Sequence, residues 1–190
     1  MTPTQTVRGQ ERIGGIVLAA GAGSRYGKPK ILVDDWLERA VTGLVDGGCH
    51  EVFVVTGAAR PPMPQRAIEI HNPDWSEGIG SSLRRGLEFV GSNWACLAIH
   101  LIDCPDIGAN VVSRVLFSEE PLARATFNGL PGHPVKIPGP LIETVRSRVH
   151  GDNGAGPILQ EFGATGIECG DLASGKDIDH VLEREHTAAR

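Results

Sequence analysis

The stretch Ile13–Lys30 reads IGGIVLAAGAGSRYGKPK, and its two halves differ in chemistry. Ile13 to Ala20 is a continuous run of small apolar residues, as expected for a central parallel strand covered on both faces. Gly21 to Lys30 is glycine-rich and basic. Glycines let backbone N–H groups approach a phosphate without side-chain obstruction. Arg25, Lys28 and Lys30 add three positive charges, enough to offset much of a triphosphate. Two familiar phosphate loops do not fit. A dinucleotide fingerprint needs Gly where Tyr26 stands and an acid after the second strand, where the chain reads Thr56-Gly57-Ala58. A Walker loop needs four residues between its glycines, whereas Gly23 and Gly27 enclose three, and Pro29 follows Lys28.

Working outward, strand and helix patterns alternate. Asp34 or Asp35 can cap a helix with Leu37, Val41, Leu44 and Val45 on its apolar face, stopped by Gly47-Gly48. Residues 51–56 and 67–70 read as strands around a proline-rich loop. Helices are expected over 77–90, 110–117, 140–149 and 155–162, with a closing helix over 178–185. Strands are expected over 94–102, 122–127, 133–137 and 166–169. An Asn128-Gly129 turn and a Pro131-Gly132 turn join the strands over 122–127 and 133–137. This alternation implies a Rossmann-like, three-layer α/β/α domain with a mostly parallel sheet and right-handed crossovers. Ligands in such sheets sit beyond the carboxyl ends of the strands. The loops at Gly21 to Lys30 and Asp103 to Pro105 both lie there.

Composition bounds the function. With 190 residues the expectation is a short disordered N-terminus over 1–11 and one domain over 12–190. A hydrophobic fraction of 41% and a net charge of −5 exclude disorder as the main reading. The acidic excess, 23 Asp+Glu against 18 Lys+Arg, argues against a nucleic-acid partner. The longest apolar and glycine run, Ile13 to Gly23, is eleven residues, against about 20 for a membrane span. Its glycines also dilute any likeness to a signal-peptide core. Cys49, Cys96, Cys104 and Cys169 show no paired spacing and read as buried free thiols of a reducing compartment.

The order of residues from Leu18 to Lys30 carries a resemblance. L-A-A-G-x-G-x-R-[aromatic]-G-x-x-K is similar to the signature of the MobA-like NTP transferases, the nucleotidyltransferases related to molybdenum cofactor guanylyl- and cytidylyltransferases. The resemblance continues in order across about residues 13–180. Asn72-Pro73-Asp74-Trp75-Ser76-Glu77-Gly78 with Ser81-Ser82-Leu83 resembles the family segment that contacts the base. Leu101-Ile102-Asp103-Cys104-Pro105 resembles LxDxP, Gly132-His133-Pro134-Val135 resembles G-H-P-V, and Asp177-Ile178-Asp179 resembles the family's acidic tail. Singly, each has a plainer reading: Ser81 and Ser82 as outward-facing helix-start residues, Asp103-Cys104-Pro105 as a turn, His133 as a turn histidine, and Asp177 and Asp179 as a helix N-terminus. The joint order favours the family.

The resemblance implies a nucleotide-diphospho-sugar transferase-like fold and a Mg²⁺-dependent nucleotidyltransferase. Leu18, Ala19, Ala20, Gly78 and Ser82 would frame base and ribose. Gly21, Ala22, Gly23, Ser24 and Arg25 would cradle phosphates, and Lys30 would neutralise charge on the α-phosphate or the leaving group. Asp103 and Asp179, or Asp177, would hold Mg²⁺, and His133 would touch the substrate. The Ala-Ala-Gly start looks like the cytidylyl branch, so the donor would be CTP. The acceptor would be a phosphorylated metabolite such as molybdopterin. That acceptor implies a cytoplasmic enzyme whose product passes to a molybdoenzyme or its maturation factor.

Three departures qualify the match. About six or seven residues of a G-x-P-L-L segment are missing after Lys30, where Ile31-Leu32-Val33 runs into Asp34. Gly151-Asp152-Asn153-Gly154-Ala155-Gly156 lacks the two customary basic side chains, and His180-Val181 replaces Thr-Pro. They motivate one alternative, a catalytically degenerate relative that still binds NTP. A nicotinamide-dependent α/β oxidoreductase is the other.

Overall fold

The apolar run forms strand β1 (Ile13–Leu18), and its lack of large polar groups is explained by its place between two parallel neighbours. The computed structural model describes residues 12–180, so the expectation for 1–11 and most of the expected closing helix lie outside the described residues. Residues 178–180 of that expected helix are non-helical.

Helix α1 (Trp36–Asp46) returns the chain to β2 (Glu51–Thr56), and a proline-rich loop leads to edge strand β3 (Ala67–His71). Helix α2 (Ile79–Val90) crosses back to β4 (Cys96–Leu101) on the far side of β1. Helix α3 (Ala109–Leu116), the hairpin β5 (Ala123–Phe127) and β6 (Leu130–Pro138), helices α4 (Gly139–Arg148) and α5 (Gly156–Glu161), and β7 (Thr165–Glu168) follow. The sheet order is β3-β2-β1-β4-β6-β5-β7. β6 alone runs antiparallel to its neighbours, so the sheet is mixed and mostly parallel. The strands' side chains split into two cores. Val17, Val52, Val54 and Ala98 pack with α1 and α3, while Ile16, Val55, Leu97, Ile99, Val135 and Ile137 pack with α2, α4 and α5. Each large apolar chain so buried contributes about 1.5–3 kcal/mol.

Several local expectations shift. Asp35 occupies the N-cap of α1 without a side-chain capping bond. The helix expected from Glu77 begins at Ile79, because Trp75–Glu77 closes a 3-10 turn and Gly78 takes φ +122°. Only the Asn128-Gly129 pair, both with positive φ, turns the hairpin. Pro131 and Gly132 lie within β6, where the ladder with β5 is irregular between Arg124 and Thr126 and tolerates a proline. All four cysteines are buried and free. No helix among the described residues is long and apolar enough to cross a membrane.

His100 of β4 is buried, and its Nδ1 has no hydrogen-bond partner among the described residues. Burial pushes its pKa down to about 3, and the neighbouring imidazole of His133, which disfavours two protonated rings side by side, acts in the same direction. An unfolded histidine titrates near about 6.5. Between those values the unfolded chain binds more protons, so stability is full above about pH 6.5 and falls as pH drops. His133, pushed to about 4 by burial and by Arg124, works in the same sense. The urea midpoint should therefore fall on going from about pH 7 to about pH 5, and His100→Leu should flatten that fall. An equally steep fall in the variant would assign the proton uptake to other groups.

Candidate active site

After β1 the chain stays pinned beside β2. The Ala19 N–H donates to the Val55 carbonyl at 3.0 Å, and the Ala58 N–H to the Ala20 carbonyl at 2.9 Å. The loop then doubles back, with the Gly27 N–H donating to the Gly23 carbonyl at 2.8 Å. Gly23 holds φ +62°, and a Cβ there would stand 2.0 Å from the Lys28 carbonyl oxygen. Only glycine allows this turn. Tyr26 is buried against Trp36, ring centroids 5.6 Å apart. That contact anchors the loop in the core while Ser24 and Arg25 remain exposed. Where the family pattern would be longer, a single 3-10 turn, Lys30–Leu32, buries Ile31 and presents Lys30.

Lys30 draws three parts of the chain together. Its Nζ lies 3.0 Å from Asp103 Oδ2, just after β4, and 2.8 Å from Asp179 Oδ1, on the returning tail. Arg25 NH1 reaches the other oxygen of Asp179 at 2.8 Å. Burial disfavours the Lys30 charge, but the hydrogen bond to Asp179 and the field of Asp103 outweigh it and hold its pKa above the ordinary lysine value. The hydrogen bond from Lys30 keeps the Asp179 carboxyl below the usual range. The charge state is therefore stable: the Asp179 contribution is lost only in acid below its ordinary pKa, and that of Lys30 only above its own. The tail is itself tied down. The Ile178 N–H donates to the Asp103 carbonyl at 2.9 Å, and Asp106 Oδ2 accepts from Ser174 N, Ser174 Oγ and Gly175 N.

The opposite wall comes from the start of α2. Ser81 and Ser82 are buried, contrary to the outward hydroxyls expected from sequence. Asn72 Nδ2 donates to both, and the Ser81 hydroxyl donates to the Asp74 and Gly78 carbonyls. This network fixes the turn because a buried hydroxyl without partners costs free energy. Gly78 meets the 151–152 segment closely: an added Cβ would lie 2.1 Å from Asp152 Oδ1 and 2.6 Å from the Gly151 carbonyl oxygen. Gly78→Ala should destabilise the fold by about 1–3 kcal/mol from backbone conformation alone, with the clash in addition. A thermal melt matching the wild type would mean that the 151–152 segment moves aside freely.

These walls enclose one pocket of about 480 Å³. Leu18, Ala19, Ala20, Gly21, Gly23, Ser24, Arg25, Lys30, Gly78, Ser82, Asp103 and Asp179 all line it. Ala22 and Lys28 do not. Asp177 is exposed and stands outside the lining, while His133 lines a second, smaller cavity next to it. Sequence reasoning did not single out Tyr26, Trp75, Ser76, Ile79 or Asp152 as lining residues. Trp75 and Asp152 fall in quoted motifs, but their facing the same space depends on the fold. Asp103 and Asp179 converge on one cation, a donor set of hard oxygens that suits a divalent ion. No three-ligand protein cage exists among the described residues. An ion there would complete its shell with phosphate oxygens and water.

Comparison with known proteins agrees with this geometry. Residues 15–166 match the model of the MobA-like NTP transferase domain. The chain is 35% identical to a nicotine blue oxidoreductase of Paenarthrobacter nicotinovorans over 188 aligned positions, 88% of this chain and 92% of that protein. It is 24% identical to the molybdenum cofactor cytidylyltransferase of Escherichia coli, covering 67% of this chain and 70% of that protein. Among solved structures it resembles Rv0371c of Mycobacterium tuberculosis, with TM-score 0.76, 19% identity, and coverage of 93% and 97% of the two chains. A manganese complex of that protein superposes with TM-score 0.64 at 17% identity, covering 94% of this chain and 100% of that one. The glycine loop, the LxDxP strand end and the seven-stranded mixed sheet thus belong together, and the chain is a member of the MobA-like NTP transferase family of nucleotidyltransferases.

Proposed function

We propose that this protein transfers a nucleoside monophosphate, CMP from CTP, to a phosphate-bearing small molecule and releases pyrophosphate. The observation that carries the reading is Lys30 held between Asp103 and Asp179 beneath the Gly21–Arg25 loop, in one pocket. An acceptor phosphate oxygen attacks the α-phosphorus in line, the bond to the β-phosphate oxygen breaks, and pyrophosphate leaves on the opposite side. A phosphate is already ionised at neutral pH, so no strong general base is needed. Catalysis rests on positioning and on charge neutralisation. The loop N–H groups and Arg25 hold the triphosphate, and Lys30 meets the charge that grows on the α-phosphate and leaving group. Asp103 and Asp179 would hold a divalent cation, Mg²⁺ by preference, which neutralises phosphate charge when bound. Ala20, Gly78 and Ser82 frame the base, and Trp75 lines the same pocket.

The Ala19-Ala20-Gly21 start and the cytidylyltransferase relative support CTP. Molybdopterin is the candidate acceptor, with a molybdoenzyme or its maturation factor as recipient. Four buried free thiols support a reducing, cytoplasmic setting. A thermal-shift titration with CTP, GTP, ATP, UTP and NADH, with and without Mg²⁺, tests the donor. A ligand at about 100 times its Kd stabilises by about 2.7 kcal/mol, several degrees in Tm. CTP with Mg²⁺ should give the largest shift. Absence of a shift with every NTP would sink the reading, and binding without pyrophosphate release would leave a catalytically silent nucleotide binder.

The 35% identical relative favours a second reading, an oxidoreductase on this scaffold. Against it, Tyr26 packed on Trp36 occupies the place of the last fingerprint glycine, and β2 ends at Thr56, followed by Gly57-Ala58 without an acid. A shift with NADH and none with NTPs would select that reading.

A further inference from the structure

Two stretches distant in sequence, the turn 103–106 after β4 and the tail 174–179, meet where Asp103 and Asp179 line the nucleotide pocket. They are clasped at two points. At one, the Ile178 N–H donates to the Asp103 carbonyl at 2.9 Å, and the Ile178 side chain is buried in the core that packs with α1 and α3. At the other, a single oxygen of Asp106, Oδ2, accepts from Ser174 N at 2.7 Å, Ser174 Oγ at 2.6 Å and Gly175 N at 3.2 Å. Hydrogen bonds to an ionised acceptor are about twice as strong as neutral ones. The Ser174 hydroxyl also accepts from Lys176 N at 3.4 Å, which carries the clasp one step towards Asp179. Gly175 holds φ +64°, and a Cβ there would run into the Phe127 ring, so the clasped turn passes close over the end of β5. Asp106 Oδ1, by contrast, is buried with no hydrogen-bond partner among the described residues. An unpaired buried oxygen costs free energy. Stability alone does not favour a carboxylate that leaves one oxygen so placed; what it supplies is the three donors gathered on the other.

We propose that Asp106 is a positioning residue: by clasping Ser174 and Gly175 it sets the path of 174–179 and so holds the Asp179 carboxylate on the same cation as Asp103, where the two would take a divalent ion. Asp179 follows Gly175 by four positions, and its two oxygens meet Lys30 Nζ and Arg25 NH1, both at 2.8 Å. A shift of the clasped turn therefore moves the carboxylate directly. Asp106 does not itself line the pocket, so it acts through Asp179. The role of the ion rests on the nucleotidyl-transfer reading; the clasp does not.

The test uses the full chain and two NMR readouts that need no turnover. One is hydrogen exchange of the Ile178 amide. The other is the affinity for Mn²⁺, titrated alone and read from paramagnetic broadening of the Asp103 amide. Asp106→Ala should speed the exchange and weaken Mn²⁺ binding, each by at least about tenfold, the loss expected when a group that supports a metal ligand is removed. The double variant with Asp179→Asn should bind Mn²⁺ no more weakly than Asp179→Asn alone, because nothing is left to position. Ser174→Ala, at an exposed position and with the carboxylate retained, serves should Asp106→Ala fail to fold. It should move both readouts in the same direction by about two- to tenfold. Faster exchange with unaltered Mn²⁺ affinity, in either variant, makes the clasp structural only and overturns the proposal. So does unchanged exchange, or a double variant that binds Mn²⁺ more weakly than Asp179→Asn. Failure of the ion reading appears separately, as no broadening in the unaltered chain, and the proposal falls with it.

Discussion

Lys30→Ala should lower the rate of pyrophosphate release by about 10²-fold or more, because it removes a charge that matters most in the transition state. The geometry adds a second expectation. Lys30 Nζ contacts both Asp103 and Asp179, so the variant takes away the cation that both carboxylates share, while Arg25 stays beside Asp179. A divalent ion held by these carboxylates, as proposed, should then bind at least as well as before. Turnover should collapse while the metal concentration for half-maximal nucleotide binding stays level or falls. Steady-state pyrophosphate release and a metal titration at fixed CTP would measure the two effects. The ion pairs are part-buried, so a thermal melt of the variant accompanies the kinetics to show that it remains folded. A variant with wild-type kcat would remove Lys30 from the chemistry and leave it a structural clip for the tail.

Asp103→Asn should give the opposite pattern on the metal. The amide keeps the shape and can still accept from Lys30, but it removes one of two converging anionic oxygens. Loss of a residue that merely supports a metal ligand costs about 10–100-fold in affinity or activity, and loss of a ligand should cost at least as much. The Mg²⁺ needed for half-maximal rate should rise by at least about tenfold, with kcat falling too. The Ile178 N–H bonds to the Asp103 backbone carbonyl, which the substitution retains, so the tail should stay in place. Unchanged metal dependence would move the metal to Asp179 with phosphate oxygens alone.

The two variants read one cluster from its two charges. If Lys30→Ala weakens metal binding as much as Asp103→Asn does, the cluster acts as a rigid unit in which no member has a separate role. If the effects part as expected, the ammonium and the carboxylates serve different steps.

The first strand and its loop were legible from composition alone. An apolar run with no large polar residue must lie between covered strands, and a glycine-rich basic segment at its end must face an edge. Gly23 and Tyr26 show why their residue types are needed, one for a left-handed turn and one for an anchor on Trp36. Errors were local. The Pro131-Gly132 pair has the chemistry of a turn, but pairing with β5 holds that segment in the strand. Ser81 and Ser82 have the chemistry of exposed caps, but Asn72 draws them inward.

The sequence by itself determined the alternation of strand and helix, the edge on which ligands meet the sheet, and the candidate residues of the glycine loop. Those features follow from periodicity and backbone freedom, which act over a few neighbouring positions. Only the tertiary structure decided that Asp179 and not Asp177 meets Lys30, that Trp75 and Asp152 share the pocket, and that Arg124 and His133 line an otherwise aliphatic cavity. Each depends on strands and loops distant in sequence coming together. Distances between such segments are set by packing of the whole sheet, and no local pattern encodes them.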